Sequence, residues 1–322
     1  MTVIRGLLAL RKASAGAESS AARLRLFGAS VSGFVSTTDP LPLSHRLCGW
    51  FDLLLAQPIP QAVTGVRSFS GASSAAAQDV RWRENPQDVK LCPKDVVLYQ
   101  YEACPFCNKV KAFLDYYKIP YKVVEVNPIS KKEIKWSDYK KVPILKVDGK
   151  QMVNSSAIID ELFQQMHPSN LAEDEEERKW CRWVDNHLVH VLSPNIYRTP
   201  SEALESFNYI TSHGNFSFTE RLIAKYTGAA AMYMVSKKLK KRHNITDERG
   251  ALYEAAETWV NALKNRPYCG GVKPNLADLS VFGVLRPVRN LKSGKDMVEN
   301  TRIGEWYDRM EKAVGDSARV LS

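Results

Sequence analysis

The segment Cys104-Pro105-Phe106-Cys107 constrains the fold of this chain more than any other part of the sequence. It follows an apolar run at residues 96–99 and precedes a stretch whose apolar residues recur at helical spacing. A strand, a short turn and a Cys-x-x-Cys pair that opens a helix are typical of redox-active thiol sites. We therefore expect a strand at 96–100 and a helix that begins at Cys104 and ends near Lys118.

This placement suits thiol chemistry because the reactive form of cysteine is the thiolate. The N-terminus of a helix offers N–H groups and the positive end of the helix dipole, both of which favour an anion. We expect Cys104 to lie exposed at that terminus as the nucleophile, with Pro105 in the first helical position, where its missing N–H costs nothing. Cys107, one turn later, would lie beneath it as the resolving thiol, and Lys109 and Lys111 would add positive charge nearby.

Two other interpretations of the cysteine pair are open. A Cys-x-x-Cys is half of a zinc site, but a structural zinc needs two more ligands, and the sequence has no second Cys-x-x-Cys or His-x₃₋₅-His pair. The cysteines could instead be core residues, since free cysteine is often buried. Pro105 and the helix-opening position favour the catalytic interpretation, and we expect no metal site.

The elements around this motif predict an α/β domain over residues 92–168. After the first strand and helix, the sequence predicts a strand at 121–126, a short basic helix at 130–138, strands at 142–147 and 151–153 joined by the turn Asp148-Gly149-Lys150, and a helix at 157–166. Parallel strands joined by a helix, followed by an antiparallel hairpin and a further helix, make a thioredoxin-like domain.

Residues 169–318 predict an all-helical domain. The charge run 173–178 is interpreted as the polar first turns of a helix, and further helices are expected around 201–212, 216–243, 247–265, 274–292 and 301–314. Residues 275–278 have the spacing of a capping box. His187 and His190 lie three apart without a third ligand nearby, and we interpret them as ordinary helix residues.

The first 78 residues have a different composition. They hold seven basic and three acidic residues and are rich in serine and alanine, which is the signature of an organellar transit peptide. The sequence Arg67-Ser68-Phe69-Ser70 resembles mitochondrial processing sites. We expect a disordered targeting segment at 1–78 that is absent from the mature protein, a linker at 79–91 and a mitochondrial location. A plastid address or membrane association is the alternative.

Charge and cysteine content exclude other classes of protein. The net charge is +10, but its densest cluster, at 237–243, lacks interleaved aromatic residues and sits beside a predicted helix end, so we expect no nucleic-acid partner. The six cysteines are irregularly spaced and do not suggest a secreted disulfide framework. No stretch has the roughly 18 apolar residues of a membrane span, and the apolar patch at 50–56 predicts peripheral membrane contact at most.

Four sequence words narrow the fold to one family. They are Leu98-Tyr99-Gln100-Tyr101-Glu102-Ala103-Cys104-Pro105-Phe106-Cys107, Val123-Val124-Glu125-Val126-Asn127-Pro128, Lys141-Val142-Pro143-Ile144-Leu145 and Lys273-Pro274-Asn275-Leu276-Ala277-Asp278-Leu279. Over about residues 90–318 the chain resembles the membrane-associated prostaglandin E synthase type 2 family, which has a glutathione transferase-type architecture with a glutaredoxin-like first domain. The resemblance implies that the protein binds glutathione and isomerises prostaglandin H2 to prostaglandin E2. Haem binding together with glutathione is a further property that the resemblance implies.

The resemblance also implies the roles of particular residues. Cys104 is the catalytic thiol, Tyr101 is the hydroxyl that supports it, and Val142 and Asn154-Ser155 hold glutathione. The position of Pro143 supports part of this. Thioredoxin-like folds keep a cis proline opposite the active thiol, and we therefore expect the Val142–Pro143 bond to be cis. This geometry leaves the backbone of Val142 free to pair with an extended peptide. Asn154 and Ser155 precede a predicted helix whose N–H groups could bind a carboxylate.

Three functions follow as hypotheses. The first is a glutathione-dependent thiol enzyme in which Cys104 attacks an endoperoxide or related electrophile. The second is a glutaredoxin-like disulfide oxidoreductase, and the third is a glutathione-dependent haem or iron–sulfur carrier. The expected partners are a small-molecule electrophile or a disulfide, and a homodimer is left open.

Overall fold

The computed structural model describes residues 93–128, 130–168 and 174–320. The predicted targeting segment, the linker at 79–91 and the apolar patch at 50–56 lie outside these residues. All described residues belong to one compact unit. None of the helices in this part of the chain has the length and apolar character that a membrane crossing requires.

The first domain is built on a four-stranded mixed sheet in the order β2-β1-β3-β4. The strands are β1 (Val96–Gln100), β2 (Lys122–Glu125), β3 (Ile144–Val147) and β4 (Lys150–Val153). Strand β1 runs parallel to β2 and antiparallel to β3, as the predicted order requires. Its alternate residues Val96, Leu98 and Gln100 are buried, so one face of the strand packs into the core.

Two helices of the first domain follow from local sequence signals. Helix α1 (Pro105–Tyr116) begins directly after Cys104 with a proline in its first turn, and α2 (Ser155–Met166) is capped by the side chain of Asn154. The register of β1 and β2 pairs Gln100 with Glu125, so the carboxyl ends of the two parallel strands meet beside the start of α1.

The second domain is helical throughout its described residues. Its helices are α3 (Glu175–Trp183), α4 (Val189–Ile196), α5 (Pro200–His213), α6 (Phe218–Ile223), α7 (Ala229–Arg242), α8 (Glu248–Ala262), α9 (Leu276–Leu285), α10 (Lys292–Asn300) and α11 (Ile303–Val314). Single π-helical turns at 184–188 and 224–228 join α3 to α4 and α6 to α7. The predicted capping box is present at the start of α9, between Asn275 and Asp278.

Helix α9 packs directly on α1 and holds the two domains together. A Cβ atom at Gly283 would lie 2.5 Å from the Cα of Lys109, so only glycine permits this approach. Ten residues of α9 are buried around its whole circumference, as expected for a helix between two layers. The start of the thiol-bearing helix is therefore fixed by the second domain as well as by the sheet.

The chain returns to the first domain after α11. The N–H of Tyr121 donates to the carbonyl of Ala318 (3.2 Å), and the N–H of Val320 donates to the carbonyl of Tyr121 (2.8 Å). Beneath them, the fully buried carboxylate of Asp115 accepts hydrogen bonds from the Ala318 N–H (2.9 Å) and the Ser317 hydroxyl (2.9 Å). Residues 317–320 thus complete the surroundings of α1.

The predicted fold class, a thioredoxin-like domain followed by a helical domain, is confirmed. Two local predictions were wrong. The basic helix expected at 130–138 is only a 3-10 turn at 132–134, because the side chain of Asn127 accepts the Ser130 N–H (2.9 Å) and the Glu133 carboxylate accepts the Asn127 N–H (3.0 Å). The helix expected at 274–292 ends at Leu285, ahead of a 3-10 turn that contains Pro287, and a separate helix α10 follows.

Candidate active site

The loop before α1 holds Cys104 in one conformation. Its N–H donates to the carbonyl of Tyr101 (3.0 Å), and its extended backbone (φ −77°, ψ 121°) makes it the residue that caps α1. The buried side chain of Asn108 donates to the carbonyls of Glu102 (2.7 Å) and Cys104 (3.1 Å). The polar groups of this turn are therefore satisfied internally, and the thiol is fixed at the start of the helix.

The two thiols have opposite electrostatic character. Burial alone would raise the pKa of Cys104, but hydrogen bonds from the Cys107 thiol and from the backbone N–H groups of Cys107 and Phe106 lower it overall. The pKa of Cys107 is raised well above its ordinary value by burial, by its hydrogen bond to Cys104 and by the charge of that neighbour. Cys104 is thus the more acidic thiol of the pair, and its role as the nucleophile stays a prediction.

Two expectations about this motif were wrong. Cys104 was expected to be exposed, but only 4% of it is accessible because the second domain covers the start of α1. Lys109 and Lys111 were expected to supply charge to the thiol, but Lys109 donates to Asp185 and to the Ser156 hydroxyl (both 2.8 Å). Lys111 pairs with Glu102 (2.8 Å). The backbone and Cys107, rather than the lysines, stabilise the thiolate.

Cys104 lies on the wall of a cleft between the two domains. The cleft is narrow and opens to solvent at its mouth. Its lining residues are Tyr101, Glu102, Ala103, Cys104, Pro105, Glu125, Val126, Pro128, Ser193, Ile196, Tyr197, Ile210, Gly214 and Phe216. Most are apolar, and Tyr101, Glu102 and Glu125 are polar residues that the first domain contributes together with Cys104. Such a wall suits a long apolar ligand that carries one reactive polar group.

Tyr101 lines the same cleft as Cys104. Burial, together with the negative charges of Cys104, Cys107 and Glu125, raises its pKa above the ordinary value. The hydroxyl therefore stays protonated at neutral pH and can donate a hydrogen bond, which is the supporting role expected for it.

The predicted glutathione residues occupy a different part of the first domain. The Val142–Pro143 bond is cis, as predicted, and Val142 is buried directly before β3. Asn154 is exposed, and its Oδ1 accepts the N–H groups of Ser156 (3.0 Å) and Ala157 (3.5 Å). Ser155 is buried in the first position of α2. The cleft lining includes none of Val142, Pro143, Asn154 and Ser155, and their contact with glutathione stays a prediction.

The chemistry of these groups fits glutathione better than haem. At the start of α2, the amide of Asn154 and the positive end of the helix dipole suit a carboxylate such as those of glutathione. The cleft wall, in contrast, carries the carboxylates of Glu102 and Glu125 and no lysine, arginine or histidine. A haem placed in the cleft would find no basic side chain on the wall for its propionates, so the described wall does not fit haem.

Glu125 is the member of the site that the sequence analysis missed. Its Oε1 accepts the N–H of Glu102 (2.7 Å), and its Oε2 accepts Nε2 of Gln100 (3.2 Å). Burial raises its pKa to about 7, against hydrogen bonds that lower it. A signal was present, because polar residues at the carboxyl ends of parallel strands meet at one edge of a sheet.

The remaining titratable candidates lie away from the cleft. Burial raises the pKa values of Cys181 and Cys269 to about 12, so neither competes as a nucleophile. The ring of His190 stacks on His243 at 4.5 Å, as an ordinary packing contact. No group of three or more ligating side chains in the described ranges could hold a metal ion.

Comparison with known proteins places these features in context. Residues 98–170 match the family of glutathione S-transferase N-terminal domains. The chain is 40% identical over 310 residues to prostaglandin E synthase 2 from Mus musculus, covering 78% of this chain and 81% of that protein. It is 44% identical over 275 residues to prostaglandin E synthase 2 from Danio rerio, covering 70% and 71%.

Solved structures of glutathione transferases are also similar to it. One is a glutathione S-transferase I bound with lactoylglutathione, with a TM-score of 0.47 and 16% identity, covering 68% of this chain and 96% of that one.

Proposed function

This chain belongs to the prostaglandin E synthase 2 family, and we propose that it is a glutathione-dependent thiol enzyme that isomerises prostaglandin H2 to prostaglandin E2 or converts a related electrophile. The observation that carries the proposal is the thiol of Cys104. Its pKa is lowered by donors from Cys107 and Phe106, and it faces a largely apolar cleft. A thiolate beside an apolar cleft can attack an electrophilic oxygen or carbon of a lipid-like substrate.

The roles of the neighbouring groups follow from their positions. Cys104 acts as the nucleophile, and the protonated hydroxyl of Tyr101 donates to charge that develops beside it. The apolar residues of the cleft hold the hydrocarbon part of the substrate and exclude water. Val142 and Asn154-Ser155 would hold glutathione, which supplies a second thiol when bound.

Single cysteine substitutions test the assignment directly. Purified protein is assayed with prostaglandin H2 and glutathione, and prostaglandin E2 is measured. Cys104→Ser should abolish turnover, whereas Cys107→Ser should retain most of it, because an isomerisation leaves no net oxidation for a second thiol to resolve. Cys181→Ser is the matched control, since this cysteine lies outside the cleft and burial raises the pKa of its thiol to about 12. Full activity of Cys104→Ser would refute the proposal.

The disulfide oxidoreductase is the second candidate, and the position of two buried, unoxidised cysteines one turn apart at the start of α1 favours it. Reduction of a protein disulfide passes through a mixed disulfide, which a resolving Cys107 would release by exchange. Disulfide reductase activity that is lost in Cys107→Ser, combined with no turnover of prostaglandin H2 by the wild type, would favour this function over the isomerase.

A haem or iron–sulfur carrier is the third candidate. The cleft wall offers no lysine, arginine or histidine that could hold a haem there. Visible absorbance of the purified protein with glutathione tests it: a Soret or iron–sulfur band that disappears in Cys104→Ser would support a carrier, and a colourless active enzyme would exclude one.

We propose a mitochondrial location, with residues 1–78 as the targeting segment. The basic, acid-poor and serine-rich composition supports this, as does the Arg-x-Phe-Ser sequence at Arg67. Mass spectrometry of protein recovered from fractionated organelles should find an N-terminus near Phe69-Ser70. An intact N-terminus, or recovery from plastids or from a membrane fraction alone, would contradict the proposal. Light scattering of the same sample would decide whether the protein forms a homodimer.

A further inference from the structure

Glu125 is the acidic group whose position beside the thiol calls for an explanation. It ends β2 and lines the cleft together with Cys104 and Tyr101. Each of its oxygens accepts one hydrogen bond, from the Glu102 N–H and from Gln100 Nε2. An ionised carboxyl group has about four acceptor sites, so the two hydrogen bonds leave lone pairs on both oxygens for a proton or a ligand. The two hydrogen bonds fix the carboxyl group in place without saturating it.

The proposed reaction needs a group that both gives and takes a proton. Opening an endoperoxide by thiolate attack leaves the second oxygen as an alkoxide, which must receive a proton. Forming the ketone then requires removal of hydrogen from the carbon that bears the sulfur-bound oxygen. The donors around Cys104 serve to stabilise its thiolate, and Tyr101 stays protonated because its pKa is raised. Neither is suited to accept a proton from carbon.

We propose that Glu125 is a catalytic residue that gives a proton to the substrate oxygen and then takes a proton from the substrate carbon. The proposal rests on the isomerase function proposed above and assigns the proton transfers of that same site.

The two steps balance in atoms and electrons. In the first, the Cys104 thiolate attacks one peroxide oxygen, a sulfur–oxygen bond forms, the oxygen–oxygen bond breaks, and the protonated Glu125 gives its proton to the released alkoxide. In the second, the Glu125 carboxylate takes the hydrogen from the adjacent carbon as a proton. The carbon–hydrogen electrons form the carbonyl, the sulfur–oxygen bond breaks, and the thiolate returns with its electron pair. Glu125 ends protonated, as it began.

The electrostatic surroundings suit this cycle. Burial raises the pKa of Glu125 to about 7, the Glu102 carboxylate raises it further, and Lys111 and the hydrogen bonds from Glu102 and Gln100 lower it. On the cleft side it faces Cys104 and Tyr101, whose pKa values its charge raises. A pKa near the working pH is the best value for a group that acts as an acid in one step and as a base in the next.

Glu125→Gln tests the proposal, because the amide keeps the volume of the side chain and an acceptor for the Glu102 N–H. Glu177→Gln is the matched control: burial also raises the pKa of Glu177 to about 7, its carboxylate also accepts a backbone N–H, from Leu276 (3.0 Å), and it lies outside the cleft. Turnover of prostaglandin H2 is measured for both variants between pH 5 and 9. Alkylation of Cys104 by iodoacetamide is measured in parallel.

We expect Glu125→Gln to lower kcat by about 100-fold or more, the usual contribution of general acid–base catalysis. The fall in wild-type activity above pH 7, as Glu125 loses its proton, should disappear. At pH 8, alkylation of Cys104 should be as fast as in the wild type or faster, because removal of the Glu125 charge lowers the pKa of the thiol. Glu177→Gln should keep wild-type turnover, and Glu125→Asp should recover part of the lost activity.

Three outcomes would overturn the assignment. In the first, the kcat of Glu125→Gln lies within about 3-fold of the wild-type value, although loss of general acid–base catalysis predicts a much larger decrease. In the second, turnover and Cys104 alkylation fall together, which would show that Glu125 only positions the loop. In the third, the pH profile is unchanged. A wild-type protein without isomerase activity would instead refute the proposed function itself, so the two failures are distinguishable.

Discussion

Replacement of Asp115 by asparagine should destabilise the whole protein, because this carboxylate joins three parts of the chain. It is fully buried in α1. Its Oδ1 accepts hydrogen bonds from the Tyr121 hydroxyl (3.0 Å), the Ser317 hydroxyl (2.9 Å) and the Ala318 N–H (2.9 Å). Its Oδ2 accepts from Arg286 (2.8 Å), which follows α9.

The magnitude follows from the pair with Arg286. Asparagine can keep the Oδ1 contacts, but it places N–H donors against the guanidinium group and removes the negative charge. Removal of one partner of a buried ion pair costs about 3–5 kcal/mol of stability. Because the side chain of Arg286 is 25% exposed, we expect the lower end, about 3 kcal/mol. This is a large part of the roughly 5–15 kcal/mol by which a typical domain is stable.

Urea denaturation followed by circular dichroism measures the effect. The control is Asp95→Asn, which breaks the ion pair with Lys122, whose side chains are 54% and 57% exposed. That change should cost less than about 1 kcal/mol. The double variant Asp115→Asn/Arg286→Met should recover part of the loss, since it removes the unpaired charge. A loss of unfolding free energy in Asp115→Asn that is no larger than the loss in Asp95→Asn would refute the inference that the buried pair of Asp115 and Arg286 stabilises the fold.

Three further predictions concern the site and its support. Iodoacetamide at pH 7 should modify Cys104 before the other described cysteines, as peptide mapping would reveal, and faster labelling elsewhere would contradict the thiol assignment. Gly283→Ala should lower the free energy of unfolding by about 1–3 kcal/mol, because its Cβ would lie 2.5 Å from the Lys109 backbone. Gly304→Ala, whose Cβ would meet only a methyl group of Val298 at 3.1 Å and no backbone atom, should change it by less than about 1 kcal/mol in the same urea titration. Burial raises the pKa of Glu125 from 4.5 to about 7. Between these two pH values the folded protein keeps the proton on this carboxyl group and the unfolded chain loses it, so the free energy of unfolding of the wild type falls as the pH rises. The free energy of unfolding of Glu125→Gln should therefore rise by on the order of 3 kcal/mol relative to that of the wild type as the pH is raised from 4.5 to 7. A difference between the two proteins that does not change with pH would contradict the shifted pKa.

The elements of the first domain could be predicted because their signals are local. The Cys-x-x-Cys motif, the Asp148-Gly149 turn and the Asn154 cap each specify a turn or a helix start from a few neighbouring residues. The motif also predicted which of the two thiols has the lower pKa, because the donors that lower the pKa of Cys104 belong to the same helix turn. The cis bond before Pro143 followed from its place in the element order.

The rest could not be predicted because it depends on tertiary packing. Cys104 is buried among residues of the first domain and beside second-domain residues of the cleft, and its own neighbours in the sequence carry no information about these contacts. Lys109 looks like a cation near a thiol in the sequence, but the fold turns it toward Asp185, 76 residues away. Glu125 reaches the site only through the register of β1 and β2, which a single strand does not specify. The cleft likewise combines segments from both domains.

The return of residues 317–320 to α1 has a consequence for how the protein is made. During synthesis, Asp115 leaves the ribosome 203 residues before Ala318, the residue whose N–H it accepts in the finished fold. Arg286 follows Asp115 by 171 residues and Ser317 follows it by 202, so the buried carboxylate lacks three of its four partners during most of synthesis. We expect nascent chains that carry Cys104 and Cys107 to remain protease-sensitive and open to wrong disulfides, and therefore to depend on chaperones, until the distant segment emerges.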